Sequence, residues 1–264
     1  MSVSTFGSPD DPAVLLIHGA GASMDWWPPA FCRMLTGRYV IRYDHRDTGD
    51  APGYPPGEPG YTGTDLVTDA LAVLDSLGVA AAHVVGISMG GALAQVLTLD
   101  HPSRVRTLTA ISTSAGAGDP DLPGMVPVEF PPEPDWSDDA AVVAYLVASQ
   151  RAMSAEPFDE EEVRSIATIA VSRTTNQESS QKNHHATEGS GSWRHRLPEI
   201  AVPTLVLHGD SDPLFPLPHG EALAREIPGA RLVVMPKTGH ELPGRVWPLV
   251  AKEILALTAG GQEP

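Results

Sequence analysis

Gly86-Ile87-Ser88-Met89-Gly90 lies where an apolar run, His83-Val84-Val85-Gly86-Ile87, hands over to a helix-like stretch from Met89 to Leu99. A sharp strand-to-helix turn brings backbone close to backbone, which residues without side chains permit. Such a turn lifts the serine hydroxyl clear of the sheet. In a chain with 25 glycines the spacing alone arises by chance, so its position between strand and helix is the informative part. The competing reading is a serine that merely caps the helix.

Outward from this point the same alternation continues. Ala13-Val14-Leu15-Leu16-Ile17, Tyr39-Val40-Ile41-Arg42-Tyr43 and Val105 to Ile111 are short branched runs that read as buried parallel strands. Trp26 to Thr36 reads as a helix ended by Gly37, and residues 47–63 as a proline- and glycine-rich loop. Thr64 to Leu77 reads as an amphipathic helix that Thr64 could cap, with Asp65, Asp69 and Asp75 on its solvated face. The alternation stops near Ser112 and resumes at Val202, with strands over Thr204–His208 and Arg231–Met235 and helices over 217–227 and 245–258. Strand and helix at this spacing predict a parallel sheet flanked by helices.

The interruption differs in composition. Residues 116–137 are rich in Pro, Asp and Gly, residues 138–153 and 159–172 read as helices, and 174–192 is polar and low in complexity. A stretch of this length is too long for a loop in a compact domain unless it is a lid or an insertion. The expected division is a core of 1–113 and 198–264 with a mostly helical cap over 114–197.

Composition removes other classes of function. Lys+Arg 17 against Asp+Glu 33 gives a net charge of −16 over 264 residues. A field of that sign repels phosphate backbones and anionic lipid, so neither nucleic acid nor a membrane is an expected partner. The single cysteine, Cys32, forbids an intramolecular disulfide framework and any cysteine-based zinc or iron–sulfur site, and it is expected to pack in its helix. The opening MSVSTFGSPDDP has neither a basic nor an apolar leader segment, and a cytoplasmic location is the default expectation.

A serine hydroxyl needs a base, and the base an orienting acid. In this type of fold the chain order is serine, then acid, then histidine. His240, in Thr238-Gly239-His240-Glu241 just past the last strand, is the expected base. His-Gly-Asp-Ser-Asp-Pro (208–213) offers two acids: Asp212 is chosen to face His240, and Asp210 is expected to bond the turn's own backbone. His18 is expected to shape its loop and His208 to pack. His184 and His185, in the polar stretch, read as solvated rather than as a two-histidine metal site. The oxyanion donors expected are the Met89 N–H, at a helix start, and the Ala20 N–H in His18-Gly19-Ala20-Gly21-Ala22, with Gly21 the alternative and Gly19 part of the same loop. Trp26 and Trp27 follow the oxyanion loop and could line a pocket, with Trp26 the candidate, against the equally good reading that one of them anchors the helix in the core. Met125, Phe130, Trp136, Tyr145 and Met153 read as the cap's own core rather than an acyl site.

Together, the HG after a strand, the GISMGG elbow, the HGDSDP loop and the TGH near the end resemble the α/β-hydrolase superfamily. Arg42-Tyr43-Asp44-His45-Arg46-Asp47-Thr48-Gly49, HVVGISMGG and VPTLV are similar to the aclacinomycin methylesterase-like serine esterases of polyketide pathways. The resemblance implies hydrolysis of a small-molecule carboxylic ester through an acyl-enzyme, with no metal and no cofactor. Lactone or carbon–carbon bond hydrolysis and cofactor-free perhydrolysis use the same triad and stay open. So do a non-catalytic ligand-binding member of the fold and a pure interaction protein. At most one short strand, Val3 to Phe6, precedes Ala13, where the family commonly has a hairpin.

Overall fold

The computed structural model describes residues 1–115, 119–187 and 192–260. Residues 116–118 and 188–191, which fall within the expected cap, lie outside that description. Strand β1 (Val3–Phe6) is followed by β2 (Ala13–Ile17), the short helix α1 (Pro29–Cys32), β3 (Tyr39–Tyr43), α2 (Gly63–Ser76), β4 (Ala82–Ile87), α3 (Met89–Asp100) and β5 (Val105–Ile111). Then come α4 (Asp139–Met153), α5 (Glu160–Arg173) and α6 (Gln177–Ala186), before β6 (Thr204–Gly209), α7 (Pro218–Glu226), β7 (Arg231–Met235) and α8 (Trp247–Ala259). The strands form one seven-stranded sheet in the order β1-β3-β2-β4-β5-β6-β7. Only β1 is antiparallel to its neighbour; all other pairs are parallel.

Every residue of β2, β3, β4 and β6 is buried, which is why these strands read as mainly apolar runs, with Arg42, His83, Thr204 and His208 as buried polar members. Alternation along each strand divides the interior into two cores. Leu15, Ile17, Val84 and Leu108 meet Leu66, Leu74, Leu93 and Leu97 of α2 and α3 on one face. Val14, Leu16, Val85 and Leu205 meet Trp27, Phe31, Val250 and Ile254 on the other. Leu16 has no exposed surface. Leu16→Ala is therefore expected to cost about 2–5 kcal/mol, the sum of lost transfer energy and a residual cavity. Urea unfolding measures it, and a loss under ~1 kcal/mol would show that this face repacks.

Several local expectations are corrected. The helix expected over Trp26–Thr36 shrinks to a 3-10 turn at Met24–Trp26 and the four residues of α1, because Pro28 and Pro29 interrupt it. The cap of α2 is Thr62, not Thr64: its hydroxyl accepts from the Asp65 N–H while the Asp65 carboxylate accepts from the Thr62 N–H. Asp69 is not on a solvated face; it is buried and holds Arg46 through two bonds of 2.6 and 2.9 Å. The polar stretch 174–192 contains a helix, α6, capped by Asn176 and buried along one side.

Helices α4 and α5 share a small apolar cluster of Val142, Leu146, Val147, Ala167 and Val171, with Trp136 and Tyr145 packed against it. Arg173, at the end of α5, is bound by three carboxylates of the sheet-bearing part: Asp25, Asp44 and Asp50.

Candidate active site

The sheet order reverses between β2 and β4: the chain moves from β2 outward to β3, then returns to β4 on the other side. At such a switch point the loops leaving the carboxyl ends of neighbouring strands diverge and leave a crevice. Ile17 pairs with Gly86, so the loop after β2 and the turn after β4 open side by side.

Ser88 sits on that turn with φ 54° and ψ −123°, outside the regions ordinary residues occupy. A side chain at Gly86 would strike the Gly90 backbone, and one at Gly90 would strike the Ile17 and His18 carbonyls. Here the glycines answer a need for close backbone approach. The Ser88 N–H donates to the Ile111 carbonyl, and Thr113 Oγ1 donates to the Ser88 carbonyl, so the strained residue is held from both sides. Its hydroxyl makes no helix-cap bond. Instead Ser88 Oγ lies 2.9 Å from His240 Nε2, and His240 Nδ1 lies 2.8 Å from Asp212 Oδ2. With the carboxylate accepting from Nδ1–H, Nε2 is left as the acceptor for the serine proton.

Asp212 has a wholly buried side chain. Burial pushes its carboxyl up, but the hydrogen bonds from His240 Nδ1–H and the Phe215 N–H outweigh that and hold it below the usual carboxylate range. Its second oxygen, Oδ1, accepts from the Leu214 and Phe215 N–H groups, both at 2.9 Å. His208 is buried beneath it and donates from Nε2 to the Phe215 carbonyl. Burial lowers the His208 pKa, so it stays a neutral support. Asp210 does not bond its own turn's backbone. It accepts from the Lys237 and Thr238 N–H groups and so ties the acid loop to the loop carrying His240.

Gly19, Ala20, Trp26, Ser88 and His240 share the wall of one cavity of about 570 Å³. Trp27 is the core anchor of the tryptophan pair and Trp26 the lining one. Among the described residues, neither the Ala20 nor the Met89 N–H has a hydrogen-bond acceptor. The Gly21 N–H, by contrast, is taken by His184. Phe130 and Met153 line the cavity, which corrects their assignment to the cap's own core; Trp136 belongs to that core, Tyr145 packs on it and also reaches the cavity wall, and Met125 is exposed. Cys32 is buried with its thiol toward the Trp27 carbonyl, and burial raises its pKa to about 11.

His184 is the residue the sequence reading misplaced. It is buried rather than solvated, 5% exposed, with both ring nitrogens engaged. The available signal was its spacing of three from Gln181, which puts both on one side of α6. Among the described residues no group of three or more His, Cys, Asp or Glu is placed to hold a metal ion, and no helix is long and apolar enough to cross a membrane.

A family model described as alpha/beta hydrolase fold matches residues 12–243. Rhodomycin D methylesterase DauP of Streptomyces sp. strain C5 is 35% identical, over 96% of this chain and 92% of its own length. Rhodomycin D methylesterase DnrP of Streptomyces peucetius is 34% identical over the same shares. Among solved structures, the enol-lactonase of Burkholderia xenovorans LB400 superposes with a TM-score of 0.76 at 23% identity, covering 98% of this chain and 96% of the enzyme. The meta-cleavage product hydrolase of Pseudomonas fluorescens IP01 gives 0.73 at 19%, covering 98% and 94%. These two likenesses concern the fold.

Proposed function

The chain belongs to the alpha/beta hydrolase fold family, and from that premise we propose that it hydrolyses a carboxylic ester of a small organic molecule through an acyl-enzyme on Ser88. The observation that carries this reading is the unbroken chain Ser88–His240–Asp212 at 2.9 and 2.8 Å, opening into an aromatic-lined cavity. The similarity to two methylesterases along nearly the whole length supports an ester as the bond cleaved.

Ser88 Oγ attacks the ester carbonyl carbon while His240 Nε2 takes its proton. Asp212 holds the imidazole in the required tautomer and balances its charge. The Ala20 and Met89 N–H groups donate to the oxyanion, preorganised where negative charge develops. The carbon–oxygen bond then breaks, and His240 returns the proton to the departing alcohol. Water, deprotonated by the same ring, attacks the acyl carbon and releases the acid and Ser88. The helices between β5 and β6 act as the cap of the division 114–197, shaping the acyl and alcohol pockets with Phe130, Tyr145 and Met153.

Intact mass after treatment with a fluorophosphonate tests the reading. Wild type is expected to gain one adduct and Ser88→Ala none. A folded wild type that takes no adduct, or a Ser88→Ala variant that still takes one, overturns it. A panel of methyl esters and lactones then resolves the bond cleaved.

A further inference from the structure

Both backbone polar groups of Gly21 are gripped by one helix. The Gly21 N–H donates to His184 Nδ1 at 2.9 Å, and the Gly21 carbonyl accepts from Gln181 Nε2 at 2.9 Å. The two side chains lie three apart on α6 and so project from one side of it. The other ring nitrogen, His184 Nε2, donates to the Arg46 carbonyl at 2.9 Å. These bonds define a neutral ring with its proton on Nε2 and its lone pair on Nδ1. Burial, reinforced by the neighbouring His45, lowers the His184 pKa to about 3, so the ring keeps this form at neutral pH. Asn183 anchors the same helix beside it: its Nδ2 donates to Asp47 Oδ2 and the Pro55 carbonyl, and its Oδ1 accepts from the Gly57 N–H.

Gly21 has φ +71°, a conformation glycine reaches at little cost and leaves as readily. Freed of these partners, Gly21 is no longer fixed in place, and the Ala20 Cα joined to it, with the Gly19–Ala20 peptide that carries the Ala20 N–H, would shift and lose its aim. A donor displaced by part of an ångström loses much of its value, since oxyanion stabilisation depends on donors being in place before charge develops. We propose that His184, assisted by Gln181, is a positioning residue for the oxyanion hole, holding Gly21 so that the Ala20 N–H stays directed at the reacting carbonyl. This rests on the assignment of Ser88 and Ala20 above.

His184→Asn, His184→Gln and His184→Ala test it. The Asn side chain places an acceptor oxygen where Nδ1 stands. Gln instead reaches the Nε2 position and keeps a donor for Arg46 while leaving the Gly21 N–H without an acceptor. Two rates are read: phosphonylation of Ser88 by the fluorophosphonate, whose developing P–O charge occupies the same hole, and kcat and KM on p-nitrophenyl acetate. Gln and Ala are expected to slow both about ten- to a hundredfold, a part of the ~10²–10³ that a missing donor costs, with KM within about threefold of wild type. Asn is expected to recover to within about threefold. Asn no better than Gln, or wild-type rates in His184→Ala, overturns the proposal. Should the alanine variant fail to fold, the Asn–Gln comparison decides alone. A wild type that Ser88 labelling does not touch overturns the underlying reading instead, so the two failures are distinguishable.

Discussion

Ser88→Ala is expected to lower kcat for an ester substrate by about a millionfold, and His240→Ala to bring it to nearly the same floor. In the proposed mechanism the two side chains form one device, because Ser88 Oγ–H would be acidified only by donating to His240 Nε2, 2.9 Å away. Independent contributions would multiply, making the double variant slower again by a similar factor. Acting as a unit, the pair is already silent once either member is gone, and the double variant should be no slower than Ser88→Ala. The surviving rate, ~10³–10⁴ above water, reflects the backbone donors and the cavity. Steady-state rates at high enzyme concentration check this. An alanine variant with more than ~1% of wild-type kcat would mean that another group attacks the substrate.

Asp212→Asn is expected to cost about 10⁴ in kcat while leaving the fold intact. The reason lies in the far side of the carboxylate. Oδ1 accepts from two backbone N–H groups, Leu214 and Phe215. An asparagine must put its carbonyl oxygen there, since an amide NH₂ would meet two donors. Its NH₂ is then forced into the place of Oδ2 and donates to His240 Nδ1. The imidazole proton moves to Nε2, which no longer accepts from Ser88. Asp212→Ala removes the orienting group but does not impose the wrong tautomer, so comparing the two separates tautomer inversion from lost orientation. Equal, small losses in both would show that Asp212 is dispensable.

Ala13–Ile17 was legible because burial on both faces leaves only apolar residues, and the branched runs Val105–Ile111 and Arg231–Met235 were also read to the residue although Arg106 and Arg231 are exposed. The positions of Ser88, Asp212 and His240 were legible because each lies on a loop leaving a strand's carboxyl end, with glycines or turn residues around it. Helix α6 was not. Its buried side, Ser179, Ser180, Asn183 and His184, has no apolar period to detect. Asn183 and His184 are satisfied by the backbone of Gly21, Arg46 and Pro55, more than a hundred residues away, and such long-range pairing leaves no local signal; the Ser179 and Ser180 hydroxyls bond the Asn176 and Gln177 carbonyls within the helix. Asp69 was misread for the same reason, since its burial comes from Arg46 on another loop. The Thr62–Asp65 spacing, in contrast, was present in the sequence, and the wrong threonine was chosen.

The insertion between β5 and β6 touches more than the cavity. The Met153 carbonyl, at the end of α4, accepts from the His240 N–H at 2.8 Å, and α6 grips Gly21. Protein engineers exchange such insertions between homologues to transplant substrate preference. If the proposed roles of His240 and Gly21 hold, a transplanted segment 114–197 must also reproduce the acceptor for His240 and the clasp on Gly21. A chimaera lacking them would bind its new substrate and turn over every substrate slowly, a uniform handicap to be told apart from a poor fit by assaying small and large esters side by side.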